Sequence, residues 1–159
     1  MSSEPVAASC VLLGARAVLI RGPSGSGKST LAWALIEQPA PFSFARLVCD
    51  DHVLVEARDG RLLARPVAAI AGLIEIRGLG VVPYPYEPVA RIGLVADLVP
   101  AHDVPRLPET EELRAELFGV ALPRIAVPMA SPLAARMVVR AMWHLDQGGA
   151  LADFVGEGA

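Results

Sequence analysis

Lysine is almost missing from this sequence. Of its 14 basic residues thirteen are arginine, and the single lysine is Lys28. Cysteine is scarce as well. Cys10 and Cys49 are too few for a disulfide framework and lack the spacing of a zinc site. Both fall in apolar runs and read as small buried hydrophobes. There is no excess of positive charge either: 17 acidic against 14 basic residues leave a net charge of -3, with no broad electrostatic footprint for nucleic acid. No apolar run approaches the ~18–20 residues of a membrane span. The opening Met1-Ser2-Ser3-Glu4-Pro5 lacks the basic and long apolar segments of a secretory signal, so the expectation is a cytoplasmic protein without nucleic-acid or membrane partners. What is there instead is apolar substance. With 53% hydrophobic residues in 159, and a mean hydropathy of +0.47, disorder is excluded and one domain over 1–159 with a real core is expected.

Periodicity and punctuation give an α/β order. Short strands are predicted at Val11–Leu13, Ala17–Arg21 and Arg46–Cys49, and a helix over Ser29–Glu37 that Pro39 and Pro41 stop. Val53–Glu56 and Arg61–Ala64, joined by Asp59-Gly60, read as a hairpin. Residues 66–88 are rich in Gly and Pro and mostly non-helical, where loops that do chemistry tend to lie. Further strands are predicted at Arg91–Val99 and Arg124–Val127, a short helix over Glu109–Leu117 and a longer one over Leu133–Leu145. Residues 1–6 and 148–159 read as frayed ends.

The strongest signal is Gly22-Pro23-Ser24-Gly25-Ser26-Gly27-Lys28-Ser29-Thr30, a full P-loop pattern between a strand and a helix. Glycines let the backbone curl so that successive N–H groups face phosphate oxygens, and the helix N-terminus adds the positive end of its dipole. The nucleotide-binding set is Gly22, Ser24, Gly25, Ser26, Gly27, Lys28, Ser29 and Thr30, the last reading more as a helix-surface residue than as a ligand. Lys28 would reach the β- and γ-phosphates and the Ser29 hydroxyl would bind Mg²⁺, so ATP and Mg²⁺ are the implied cofactors. That the only lysine falls here fits the chemistry: a compact ammonium on a flexible stem is replaced poorly by a planar guanidinium.

A P-loop enzyme also needs a carboxylate at the metal, and a kinase needs a base near the acceptor hydroxyl. Asp50 and Asp51 follow the strand Leu47-Val48-Cys49, at the strand ends where open α/β sheets bind ligands. Adjacent residues point to opposite faces, so one of the two is expected to face the γ-phosphate. His52 beside them is a weaker candidate base. A second glycine-flanked run, Gly72-Leu73-Ile74-Glu75-Ile76-Arg77-Gly78-Leu79-Gly80, admits two readings. By periodicity Glu75 and Arg77 are the solvent-facing positions of an alternating strand; by chemistry Glu75 completes a metal shell and Arg77 faces phosphate. Composition does not decide between them.

Taken in order, the GPSGSGKST loop, Leu47-Val48-Cys49-Asp50-Asp51 and Ile74-Glu75-Ile76-Arg77-Gly78-Leu79-Gly80 resemble the catalytic domain of HPr kinase/phosphorylase. The run Glu-Ile-Arg-Gly-Leu-Gly is that family's signature. The resemblance covers roughly residues 7 to 140 and is closest to short forms with the C-terminal catalytic domain alone. It implies an α/β P-loop kinase domain with a central mixed sheet, like HPr kinase and phosphoenolpyruvate carboxykinase. It also implies Lys28 and Ser29 on the phosphates and Mg²⁺, Asp50 and Glu75 as metal ligands, and Asp51 as the base for the acceptor serine. Arg77 and Arg106 would be functional arginines, Arg106 by a local match only. Two departures stand out. Ala7 occupies a position where the family carries a histidine, and Pro128-Met129-Ala130-Ser131-Pro132-Leu133 replaces a basic, glycine-containing loop tied to dephosphorylation. Both weigh against phosphorylase activity.

The leading expectation is therefore an ATP- and Mg²⁺-dependent protein serine kinase acting on HPr or an HPr-like phosphocarrier of the phosphotransferase system, in control of carbon and nitrogen metabolism. Its family implies a homo-oligomer. A nucleotide-binding regulatory module with little transfer activity is the alternative that the two departures motivate. A small-molecule P-loop kinase would explain residues 22–30 but leave 72–80 unexplained.

Overall fold

The computed structural model describes residues 3–156. In chain order the elements are β1 (Glu4–Val6), β2 (Ala8–Leu13), β3 (Arg16–Arg21), α1 (Lys28–Glu37), β4 (Ala45–Cys49), β5 (Val53–Arg58) and β6 (Arg61–Pro66). Then come β7 (Leu73–Ile76), β8 (Gly80–Pro83), β9 (Ala90–Val99), β10 (Arg114–Leu117), β11 (Val120–Pro128) and α2 (Leu133–Asp146). Nine strands form one mixed, curled sheet in the order β1-β5-β6-β9-β3-β2-β4, with β11 alongside β9 and β10 beyond it. Strands β7 and β8 make a separate two-stranded ribbon.

The sheet is buried on both faces, which explains why its central strands are apolar nearly without interruption. On one face Val11, Val18, Ile20, Leu94 and Ala96 meet Leu31 and Leu35 of α1 and Val138 and Met142 of α2. On the other, Cys10, Leu19, Ile92 and Val95 meet Val53, Val55 and Leu62 as the β5–β6 hairpin curls over them. Both cysteines are buried and free, as expected. Burial pushes both thiols upward, so neither is a reactive thiolate.

Strand direction then sets the site. β2 runs antiparallel to both β3 and β4. The C-terminal ends of β3 and β4 therefore lie at one sheet edge, together with the N-terminal end of β2. Register fixes this, pairing Ala8 with Arg21 and Cys10 with Cys49. The glycine loop leaves β3 and the acidic pair leaves β4 at that same edge.

Two expectations need correction. Glu109–Leu117 is not a helix: one 3₁₀ turn spans Thr110–Leu113 and then Arg114–Leu117 is a strand paired with β11. Leu117 and Leu122 lie on one side of this hairpin while Glu116 is exposed, and Phe118-Gly119 turn the chain with both φ angles positive, the hairpin geometry that overrides a short helical pattern. The termini are better held than frayed ends. Glu4–Val6 pair with β5, and Leu151, buried in the 3₁₀ turn Leu151–Phe154, joins the helix-side core. His144 of α2 meets Asp153 Oδ2 at 2.9 Å across that turn. The positions 1–2 and 157–159 of those expected ends lie outside the described residues. No described helix is long and apolar enough to cross a membrane.

Candidate active site

The P-loop is built around one close approach and one left-handed residue. A Cβ on Gly22 would come within 2.5 Å of Ser26 Oγ and 3.1 Å of Leu98 Cβ, so only glycine fits where the loop leaves β3. Gly27, at φ 100°, caps α1 in a conformation that side chains resist, and frees the first N–H groups of the helix to face the loop. Lys28 Nζ donates to the carbonyl oxygens of Gly22 at 2.8 Å and Pro23 at 3.2 Å, which seats its ammonium on the rim of the cradle. Ser26 Oγ is buried and has no hydrogen-bond partner among the described residues.

The acidic pair splits by burial rather than by strand alternation, since β4 ends at Cys49 and both aspartates line one cleft. Asp50 is buried, at 4% exposure, and accepts from Ser29 Oγ through both oxygens at 2.9 and 2.8 Å. Asp51 turns outward at φ 66°, with its side chain 70% exposed to the cleft, and His52 Nδ1 lies 3.0 Å from its Oδ2. Asp is one of the few residues that adopts this backbone region at low cost.

Ser9 holds the pair apart. Fully buried at the start of β2, it donates to Asp50 Oδ1 at 2.6 Å and accepts from the Asp51 N–H at 3.3 Å. Sequence reasoning missed it. The available signal was a single hydroxyl in the otherwise apolar run Ala8–Leu13, whose role comes only from the strand order.

A second group escaped the sequence for the same reason. Asp97 on β9 accepts from Arg21 through Nε at 2.7 Å and Nη2 at 2.9 Å, and from Arg124 Nε at 2.8 Å. Burial raises its carboxyl, but hydrogen bonds and charge from the two guanidinium groups outweigh this and hold it below its ordinary value. The cluster ties β3, β9 and β11 together one residue before the P-loop begins.

The β7–β8 ribbon supplies the opposite wall. Ile74 and Ile76 face inward on Leu47 and Trp33, while Leu73, Glu75, Arg77 and Val81 line the cleft. Leu73 and Glu75 are the exposed positions of an alternating strand, Arg77 follows just past its end, and all three line the cleft. Tyr84 anchors the ribbon to α1, accepting from Trp33 Nε1 at 2.7 Å and donating to Glu37. That hydrogen bond to Glu37 raises the Tyr84 phenol.

The cleft so formed measures about 600 Å³ and gathers Ser24, Gly25, Gly27, Lys28, Ser29 and Thr30 with Asp50, Asp51, Glu75 and Arg77. Arg106 is not among them. The chain leaves β9 for a 3₁₀ turn at Ala101–Asp103, which carries Arg106 to a separate apolar groove beside Met137 and Phe154. The residues present suit a magnesium ion. Hard oxygen donors from Ser29 and Asp50 already converge, and Mg²⁺ is commonly held by one or two carboxylates with substrate phosphates rather than by a closed protein cage. Among the described residues no cluster of three or more His, Cys, Asp or Glu forms such a cage.

The family described as HPr Serine kinase C-terminal domain matches residues 3–144. The chain belongs to that family. The HPr kinase/phosphorylase of Clostridium beijerinckii is 42% identical over 65 residues, and that of Streptococcus thermophilus is 44% identical over 66. Each match covers 41% of this chain and 20% of the relative, so the matched stretch spans about a fifth of these proteins' length. A solved structure of the HPr(Ser) kinase/phosphatase from Coxiella burnetii aligns over 92% of this chain and 99% of its own, with a TM-score of 0.75 and 25% identity. The fold is therefore that of HPr kinase, as its motifs implied. Within this HPr kinase domain Ala7 is an exposed bend residue two positions before Ser9, and the uncharged 128–133 segment runs from the end of β11 to the start of α2.

Proposed function

We propose that this chain transfers the γ-phosphoryl group of ATP to a seryl hydroxyl of HPr or an HPr-like phosphocarrier. The observation that carries the reading is convergence: three separate segments of an HPr kinase domain bring a P-loop, two aspartates and the Glu75/Arg77 strand to one cleft. Lys28 exchanges its two loop carbonyls for phosphate oxygens when the substrate binds. Ser29, Asp50 and Glu75 hold Mg²⁺, which when bound supplies positive charge against the charge developing on the transferred group. Asp51, free of the P-loop hydroxyls and open to the cleft, takes the proton from the acceptor serine. Arg77 stabilises the phosphoryl group in transit. Ser9 keeps the two aspartates in separate roles, one on the metal side and one on the acceptor side.

Kinase activity alone is proposed, since neither Ala7 nor the 128–133 segment offers the histidine or basic loop that the family's phosphorylase reaction is tied to. The protein works in the cytoplasm, as a homo-oligomer, in control of carbon and nitrogen metabolism. Incubation with ATP, Mg²⁺ and HPr from the same organism tests the reading. Phosphoserine on HPr is the expected product, and ATP binding without phosphoserine would overturn it. The same Ala7 and 128–133 features favour a second reading, a nucleotide-sensing module without turnover, and that outcome would point to it.

A further inference from the structure

Arg106 stands outside the cleft, and the place it does occupy has a chemistry of its own. A groove of about 440 Å³ is formed by α2, the 106–113 segment and the 3₁₀ turn Leu151–Phe154. Its apolar lining includes Leu107, Leu133, Met137, Phe154 and Val155. Leu107, Leu133 and Phe154 each keep at least half of their surface exposed, as the lining of a binding groove does. Three guanidinium groups line the same groove. Arg136 and Arg140 are four residues apart on α2 and share one helix face, and Arg106 joins them from the segment after β9.

No Asp or Glu lines this groove. Among the described residues none of the three arginines lies within ion-pair distance of a carboxylate. Arg140 lies over the Phe154 ring instead, with its Cζ 5.0 Å from the centroid. Asp153, the carboxylate next to Phe154, is engaged by His144 Nε2 and the Ala150 N–H, both at 2.9 Å. Like charges four apart on a helix repel, so Arg136 and Arg140 cost the fold stability unless an anion joins them. Cations without partners around an apolar floor suit a ligand of two characters, a negative head and an apolar body. The volume is in the range of small-molecule sites. We propose that this groove binds a small amphipathic anion, a medium-chain or arylalkyl carboxylate. Its head sits among Arg106, Arg136 and Arg140, and its body lies on Leu133, Met137 and Phe154. The groove shares no lining residue with the phosphate cleft, so binding requires neither ATP nor Mg²⁺.

The test titrates octanoate, 1-octanol and acetate into the full chain, with its methionine methyl groups carbon-labelled and followed by NMR. Met137 lines the groove and Met129 does not, so the two signals separate binding there from a general solvent effect. Octanoate is expected to shift Met137 saturably and to leave Met129 in place. Octanol and acetate each supply half of the chemistry and should bind at least about tenfold more weakly. Arg106→Gln and Arg136→Gln should each weaken octanoate by roughly fivefold and leave octanol unchanged, which also shows an intact groove. Leu133→Glu places a carboxylate at the exposed rim and should abolish octanoate binding with the melting curve unchanged. Octanol binding as tightly as octanoate, octanoate affinity untouched in both arginine variants, or a Met137 signal unmoved up to about 10 mM octanoate would overturn the proposal. Octanoate without effect, together with loss of a larger assembly in light scattering of the arginine variants, would also overturn it and assign the groove to a second copy of the chain.

Discussion

The two walls of the cleft are held by different means. On the P-loop side the groups stand at the ends of strands in the main sheet or in the first turn of α1 that follows β3, and the register of β2, β3 and β4 places them together. On the opposite side Glu75 and Arg77 ride on a two-stranded ribbon that shares no ladder with that sheet. A few apolar contacts, the Tyr84–Trp33–Glu37 hydrogen bonds and one backbone bridge between Tyr86, just past the ribbon, and Leu47 of β4 dock it. The lesson is a division of labour. The P-loop, Asp50 and Asp51 are fixed by backbone hydrogen bonds that persist as long as the fold does. The ribbon wall that carries Glu75 and Arg77 is attached mainly by side chains and can yield without unfolding the sheet.

Substitutions should separate the two walls. Lys28→Ala has the largest expected effect: ATP affinity falls beyond about a hundredfold in titration calorimetry, with the melting curve unchanged, because the cradle loses its only ammonium. Next is Asp97→Asn, which leaves two guanidinium groups competing for a neutral amide. A loss of about 1–3 kcal/mol at pH 7 is expected in urea unfolding. The pH dependence has a defined sign. The folded carboxyl titrates below its unfolded value, so its stabilisation is full above about pH 4 and fades as pH falls through the lower folded value. The gap between wild type and variant should close over that acidic window; a gap constant down to pH 2 would show that charge is not the cause.

Ser9→Ala comes third. It removes one donor from Asp50 and one acceptor from the Asp51 N–H, costing about 1–2 kcal/mol of stability. Because it acts through the aspartates, kcat should drop with little change in the KM for ATP, and Ser9→Thr should restore part of it. Tyr84→Phe is the smallest. Losing the phenol should cost about 1 kcal/mol or less and raise the KM for the acceptor while ATP affinity stays put. If instead Tyr84→Phe weakened ATP as much as Ser9→Ala lowered kcat, the two walls would not be separable.

What the sequence revealed was local. The P-loop, α1 and the β5–β6 hairpin announce themselves through glycine spacing, a proline stop and Asp59-Gly60, all read within a dozen residues. The segment Glu109–Leu117 misled because four glutamates among apolar residues imitate a solvated helix, while the hairpin turn that decides the matter, Phe118-Gly119, lies just beyond it. Ser9 and Asp97 were illegible for a deeper reason. Each acts on a residue at least 27 positions away, through neighbours that exist only once the strands are ordered. Arg106 was the reverse case, a local match that the path after β9 carries out of the cleft.

The central claim is that one aspartate works on the acceptor while the other serves the metal. Asp51→Asn tests it most directly, with ATP binding followed by calorimetry and phosphoserine on HPr followed by mass spectrometry in the same preparation. The account predicts unchanged ATP affinity and transfer reduced by about a hundredfold or more. Transfer at the wild-type rate would contradict it.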